Sequence, residues 1–172
     1  MEARSKILVV DDEKHICHNV EKILTKNNYE VTHALSAREA LDKMAKESFS
    51  LLISDIVMPG QNGLELLKLA KKEWPLTKAI MMTAYASTET ALKAIRLGAL
   101  DYIPKPFTPD ELRTSVENAL AVAYSLEAGL KDFYESMGQG SLTLTRLQLI
   151  IHTALQPAAF QPEKENTQRP LL

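Results

Sequence analysis

Short apolar runs at residues 7–10, 29–34, 51–54, 79–83 and 102–103 alternate with amphipathic stretches at 13–27, 36–47, 62–74 and 87–97, and a further stretch opens at Thr108. The runs are brief and β-rich, which predicts strands; the first and third are almost wholly apolar, as in strands buried on both faces. The longer stretches carry apolar residues at helical spacing. Ile16, Val20, Ile23 and Leu24 mark the inner face of the first. Leu64, Leu67 and Leu69 mark that of the third, leaving Glu65, Lys68, Lys71 and Lys72 outside. Local punctuation agrees. Ser36 with Glu39 reads as a capping box, Ser87 as an N-cap, Thr108-Pro109 as a cap followed by a first-turn proline, and Gly98 as a helix end. Strands alternating with such helices imply a parallel sheet covered on both faces by right-handed crossovers. The pattern therefore predicts an α/β fold, a doubly wound five-stranded parallel sheet, over residues 4–124.

Beyond the last strand the pattern changes. Leu112, Val116, Ala119, Ala123, Leu126, Leu130, Phe133 and Met137 recur at alternating intervals of four and three. This heptad-like stripe predicts an extended C-terminal helix running through a helical extension at 125–138. It offers a coiled-coil seam and so a route to a homodimer; the other expectation is a helix folded back on its own sheet. Residues 139–172 begin apolar, with Leu142, Leu144, Leu147, Leu149, Ile150, Ile151 and Leu155, and end in a proline-containing stretch that reads as disordered.

Composition narrows the class. Twenty Lys and Arg against 22 Asp and Glu give a formal charge of −2 in 172 residues, so no direct nucleic-acid binding is expected. The apolar runs fall far short of the roughly 20 residues that cross a bilayer, and no secretory apolar region follows Met1. Cys17 is the single cysteine, which rules out an internal disulfide. The expected setting is the cytoplasm, without membrane association.

Ligands of open parallel sheets bind beyond the carboxyl ends of the strands. At those ends stand Asp11-Asp12-Glu13 after the first strand, Asp55 after the third, Thr83 after the fourth and Lys105 just after the fifth. Like charges about 4 Å apart repel by roughly 4 kcal/mol at an effective dielectric of 20. Clustered carboxylates thus call for a cation or a proton. Hard oxygens without a histidine suit Mg²⁺ rather than zinc. A carboxylate beside Mg²⁺ can act as a nucleophile toward phosphorus, with Thr83 and Lys105 stabilising the phosphoryl oxygens. The chemistry predicted is phosphoryl transfer onto the protein.

At Ile7-Leu8-Val9-Val10-Asp11-Asp12-Glu13, Asp55-Ile56-Val57-Met58-Pro59-Gly60-Gln61-Asn62-Gly63, Met82-Thr83-Ala84 and Tyr102-Ile103-Pro104-Lys105-Pro106-Phe107 the chain resembles the receiver domains of two-component response regulators. The wording around Asp55 and Thr83 is closest to receivers of the sigma-54-activator type. The resemblance implies a flavodoxin-like strand order 2-1-3-4-5 and a cis Lys105-Pro106 bond. It implies Asp55 as phosphoacceptor, and Mg²⁺ held by Asp12, Asp55 and the Val57 carbonyl with Asp11 acting through water. Thr83 and Lys105 would contact the phosphoryl group. Thr83 and Tyr102 would form a switch acting on the surface from residue 87 to 124, and the donor would be a sensor histidine kinase or a phosphotransfer protein. The expected role is a phospho-accepting signalling switch of a phosphorelay rather than an enzyme.

Rival readings are weaker. A phosphohydrolase passing through an aspartyl-phosphate needs a second Asp two residues after the first, where Val57 stands. A flavodoxin-like cofactor binder lacks a phosphate-cradling loop after the first strand. A receiver used only as a non-phosphorylated dimerisation module would not need the whole chemical set. His15, Cys17 and His18 have the composition of a metal trio, but Cys17 lies off the face shared by the two histidines, and a solvated helix face is expected there. Trp74 is expected to be a core residue at a helix end, and Lys68, Lys71 and Lys72 an ordinary charged face.

Overall fold

The computed structural model describes residues 4–121. Strands β1 (Lys6–Val10), β2 (Glu30–Ala34), β3 (Leu51–Asp55), β4 (Lys78–Thr83) and β5 (Asp101–Pro104) alternate with helices α1 (Lys14–Leu24), α2 (Ala37–Met44), α3 (Gly63–Glu73) and α4 (Thr88–Arg96). A fifth helix, α5, starts at 109 and is described to 121. All strand pairs are parallel, in the order β2-β1-β3-β4-β5. The expectations for the stripe beyond Ala119, for the extension at 125–138 and for residues 139–172 lie outside the described residues.

Period-two alternation divides the buried strand residues between two cores. Leu8, Val10, Leu52 and Met81 face Ala37, Ala40, Leu66, Leu67 and Ala70 of α2 and α3, with Ala94 of α4. Ile7, Val9, Ile53, Ile80 and Met82 face Cys17, Val20 and Leu24 of α1 and Leu112, Val116 and Ala119 of α5. The first three positions of the heptad-like stripe are therefore spent on the chain's own sheet. Within the described residues the stripe is core, not a seam for a partner.

Register sets the upper edge of the sheet. Val10 stands beside Ala34 and Ser54, Asp55 beside Met82, and Thr83 beside Pro104. The strand ends that carry the acids and Thr83 thus finish at one level. Three face assignments differ from the pattern. Cys17 rather than Ile16 is fully buried on α1, so it is not part of a solvated face. Leu66 takes the inner place on α3, and Leu69 is 36% exposed. Lys71 is folded inward, its Nζ donating to the Thr77 carbonyl at 2.8 Å. Each follows from 3.6-residue periodicity, since Cys17 lies three before Val20 and Lys71 four after Leu67.

The helix ends largely follow the local signals. The Ser87 side chain accepts from the Thr90 N–H and Thr90 returns the bond, a complete capping box. Thr108 and Glu111 do the same at the start of α5. Ser36 caps α2, but Glu39 reaches past it to the Leu35 N–H. Gly98 closes α4 with φ +95°, as its own N–H and that of Ala99 return to Ile95 and Ala94. Trp74 ends α3 half-buried against the core. Among the described residues no helix is long and apolar enough to cross a membrane.

Candidate functional site

Asp11 leaves β1 fully buried, with its backbone N–H bonded to the Ala34 carbonyl and its Oδ1 accepting from the Glu13 N–H at 3.0 Å. Asp55, the last residue of β3, is 6% exposed; its Oδ1 accepts from the Val57 N–H at 3.2 Å. Asp12 is exposed. One carboxylate oxygen from each of Asp11, Asp12 and Asp55 lies within 4.8 Å of the others.

Lys105 spans this group. Its Nζ donates to Asp11 Oδ2 at 2.6 Å and to Asp55 Oδ2 at 2.7 Å, with the side chain only 9% exposed. The Lys105 N–H is bonded to the Thr83 carbonyl, which holds its backbone beside the end of β4; the Lys105-Pro106 bond is cis. Burial raises the pKa of Asp11, and the Lys105 ammonium only partly offsets this. For Lys105 burial works toward a lower pKa, but the two carboxylate hydrogen bonds together outweigh it and the net direction is upward. Three carboxylates with one ammonium leave a deficit that a single divalent cation would cancel. An all-oxygen donor set fits a hard ion such as Mg²⁺.

Thr83 is 1% exposed, and its Oγ1 accepts from the Tyr85 N–H at 3.1 Å. Tyr102 is half-buried and directed toward α4, where its hydroxyl meets Thr90 Oγ1 at 2.8 Å. Val57 is 51% exposed, in the loop after Asp55. The fold therefore gathers Asp11, Asp12, Asp55, Thr83 and Lys105 at one edge, with Val57 beside them and Tyr102 one element away.

Two supporting residues escape a reading based on chemistry alone. Gly63 opens α3 against the backbone of Asp55: a Cβ there would lie 1.8 Å from the Asp55 carbonyl oxygen, and its N–H bonds the Ile56 carbonyl. Its place in the motif after Asp55 was the available signal. Cys17 lies behind Asp11, its Sγ 3.5 Å from the Asp11 carbonyl, and burial raises its thiol to about 11. It is a core thiol, not a nucleophile.

A doubly wound sheet in the order 2-1-3-4-5 with a buried acid cluster bridged by a lysine defines the class: an α/β signalling domain of the flavodoxin-like topology. Within that class the chain belongs to the response regulator receiver domain family, whose model matches residues 7–117. It is a receiver of the two-component type, a domain phosphorylated on aspartate. It is 39% identical over 122 residues to the transcriptional regulatory protein ZraR of Escherichia coli K12, covering 71% of this chain and 28% of that protein. The CheY-like receiver domain protein of Methanospirillum hungatei JF-1 superposes with a TM-score of 0.69 at 37% identity, over 72% of this chain and 98% of that one. The beryllofluoride-activated NtrC4 receiver domain dimer gives 0.65 at 31% identity, over 67% and 96%. The chain spans between a fifth and a third of the length of the curated relatives it matches.

Proposed function

We propose that Asp55 is the phosphoacceptor of this receiver and that a sensor histidine kinase or a phosphotransfer protein is its donor. The observation that carries this is the double hydrogen bond of the largely buried Lys105 to Asp11 and Asp55. An Asp55 carboxylate oxygen bonds to phosphorus as the donor's bond to phosphorus breaks, giving an aspartyl-phosphate. Lys105 then exchanges one carboxylate for a phosphoryl oxygen, and Thr83 turns its hydroxyl from the Tyr85 N–H to another. Asp11, Asp12, Asp55 and the Val57 carbonyl would hold Mg²⁺, which when bound supplies the counter-charge for the incoming group. Val57 leaves no second acid two residues after Asp55, which weighs against a phosphohydrolase.

The output surface in this reading is α4, β5 and α5, with Tyr102 reporting the position of Thr83. Leu92 and Ile95 on α4 and Leu100 before β5 are 53%, 48% and 45% exposed, an apolar face for a partner or a second copy. A receiver dimer among the similar structures supports the second copy. The cytoplasm is the setting proposed, because the donor's phosphohistidine and Mg²⁺ must both reach the pocket. Incubation with acetyl phosphate and Mg²⁺, followed by intact-protein mass, tests the assignment. One added phosphoryl group is expected, absent from Asp55→Ala and from metal-free samples; an adduct that persists in Asp55→Ala would refute it.

A further inference from the structure

His18 and Glu21 stand one turn apart on α1, and His33 lies in the edge strand β2 beside them. His33 Nε2 is 3.1 Å from Glu21 Oε2, the two imidazole centroids are 5.2 Å apart, and one ligand atom from each of the three residues lies within 4.8 Å of the others. Two details point beyond an ordinary ion pair. His33 Nε2 is closed off from solvent yet makes no hydrogen bond of acceptable geometry, because its approach to Glu21 is close but misaligned. A buried polar atom in that state costs about 1–3 kcal/mol unless something else takes its lone pair. His18 Nδ1 lies 3.1 Å from the Lys14 carbonyl one turn back. Donating its N–H there leaves the lone pair on Nε2, which is how metal-ligating imidazoles are commonly oriented.

We propose that His18, Glu21 and His33 form a binding site for one divalent transition-metal ion of the zinc class, separate from the acidic pocket at the top of the sheet. Two imidazoles and one carboxylate are the donor set of open zinc sites, with water in the fourth place. Tetrahedral coordination at these bond lengths needs donor atoms about 3.3 Å apart, close to the separation already present between His33 and Glu21. Mg²⁺, which favours oxygen ligands, is a poor occupant. The side chains of His33 and Glu21 are 24% and 38% exposed, so the cluster lies near the surface. Once bound, it ties the edge strand to α1.

The test uses the full chain with Mg²⁺ in large excess, to compete for the acidic cluster, and titrates Co²⁺ by visible absorption and Zn²⁺ by calorimetry. One ion per chain with a tetrahedral Co²⁺ spectrum is expected. His18→Ala and His33→Ala should each weaken binding by more than the roughly 10–100-fold that loss of an outer-shell partner costs, while His15→Ala binds as the parent does. Zn²⁺ should also raise the melting temperature of the parent but not of Glu21→Gln, a conservative change at a half-buried helix position. No saturable binding, or binding that survives loss of both His18 and His33, would overturn the site. Matching metal-free melting curves exclude misfolding as the cause of any loss.

Discussion

Lys71 shows how residue type and residue spacing can disagree. As a lysine it belongs outside, but four residues after Leu67 it falls on the inner face of α3. Its stem lies along Gly98, with Cε 3.4 Å from where a Cβ there would sit, and its amine reaches the Thr77 carbonyl. Burial, and then the neighbouring Lys78, lower its pKa from 10.5 to about 8. The unfolded chain therefore binds more protons than the folded one between those values, and stability should rise with pH across that window. Lys105 has the opposite sign: its raised pKa makes a contribution that is lost only as pH climbs above the ordinary value. Urea unfolding at about pH 7 and about pH 10 should show this rise in the parent chain, with a clearly smaller one in Lys71→Met. Equal slopes for the two proteins would show that Lys71 titrates normally.

Among the described α-helices, α4 buries the fewest residues. Ala94 is its one fully buried residue, while Leu92 and Ile95 face outward. Its ends do much of the holding: the Ser87–Thr90 capping box at one, the turn at Gly98 at the other, and the hydroxyl of Tyr102 on Thr90 Oγ1. Tyr102→Phe should cost about 1 kcal/mol. It should also speed amide hydrogen exchange in the first turn of α4 while leaving α3 unchanged; unchanged exchange at 88–91 would rule out the tether. The Ser87 cap and the Gly98 stop were legible because both are local signals. The Tyr102–Thr90 bond was not, since it joins residues twelve apart whose meeting depends on how α4 lies against β5. The same reasoning covers Glu39, where the box motif named the right residues but the carboxylate found the N–H of Leu35 instead.

For the molecule as a whole, the two cores are closed by residues between Ile7 and Leu120. A chain cut after residue 124 should therefore keep a single cooperative unfolding transition and still accept one phosphoryl group from acetyl phosphate. Loss of that transition in circular dichroism would mean that residues beyond 124 complete the fold. The parallel sheet and most of the acid pocket were readable because strand ends can be counted along the chain and a parallel sheet brings them to one edge, whereas the strand order followed only from the resemblance to receiver domains. The His18, Glu21 and His33 group was hidden, because how α1 lies against β2 is set by packing and no spacing rule links residue 33 to residues 18 and 21. Lys105 carries a further consequence. It lies 94 residues after Asp11 and 50 after Asp55, the two acids it bridges. On the ribosome all three acids emerge well before the ammonium that bridges two of them, and domains generally fold as units. The pocket is thus complete only once the last strand has been made, and a nascent chain should accept no phosphoryl group before then.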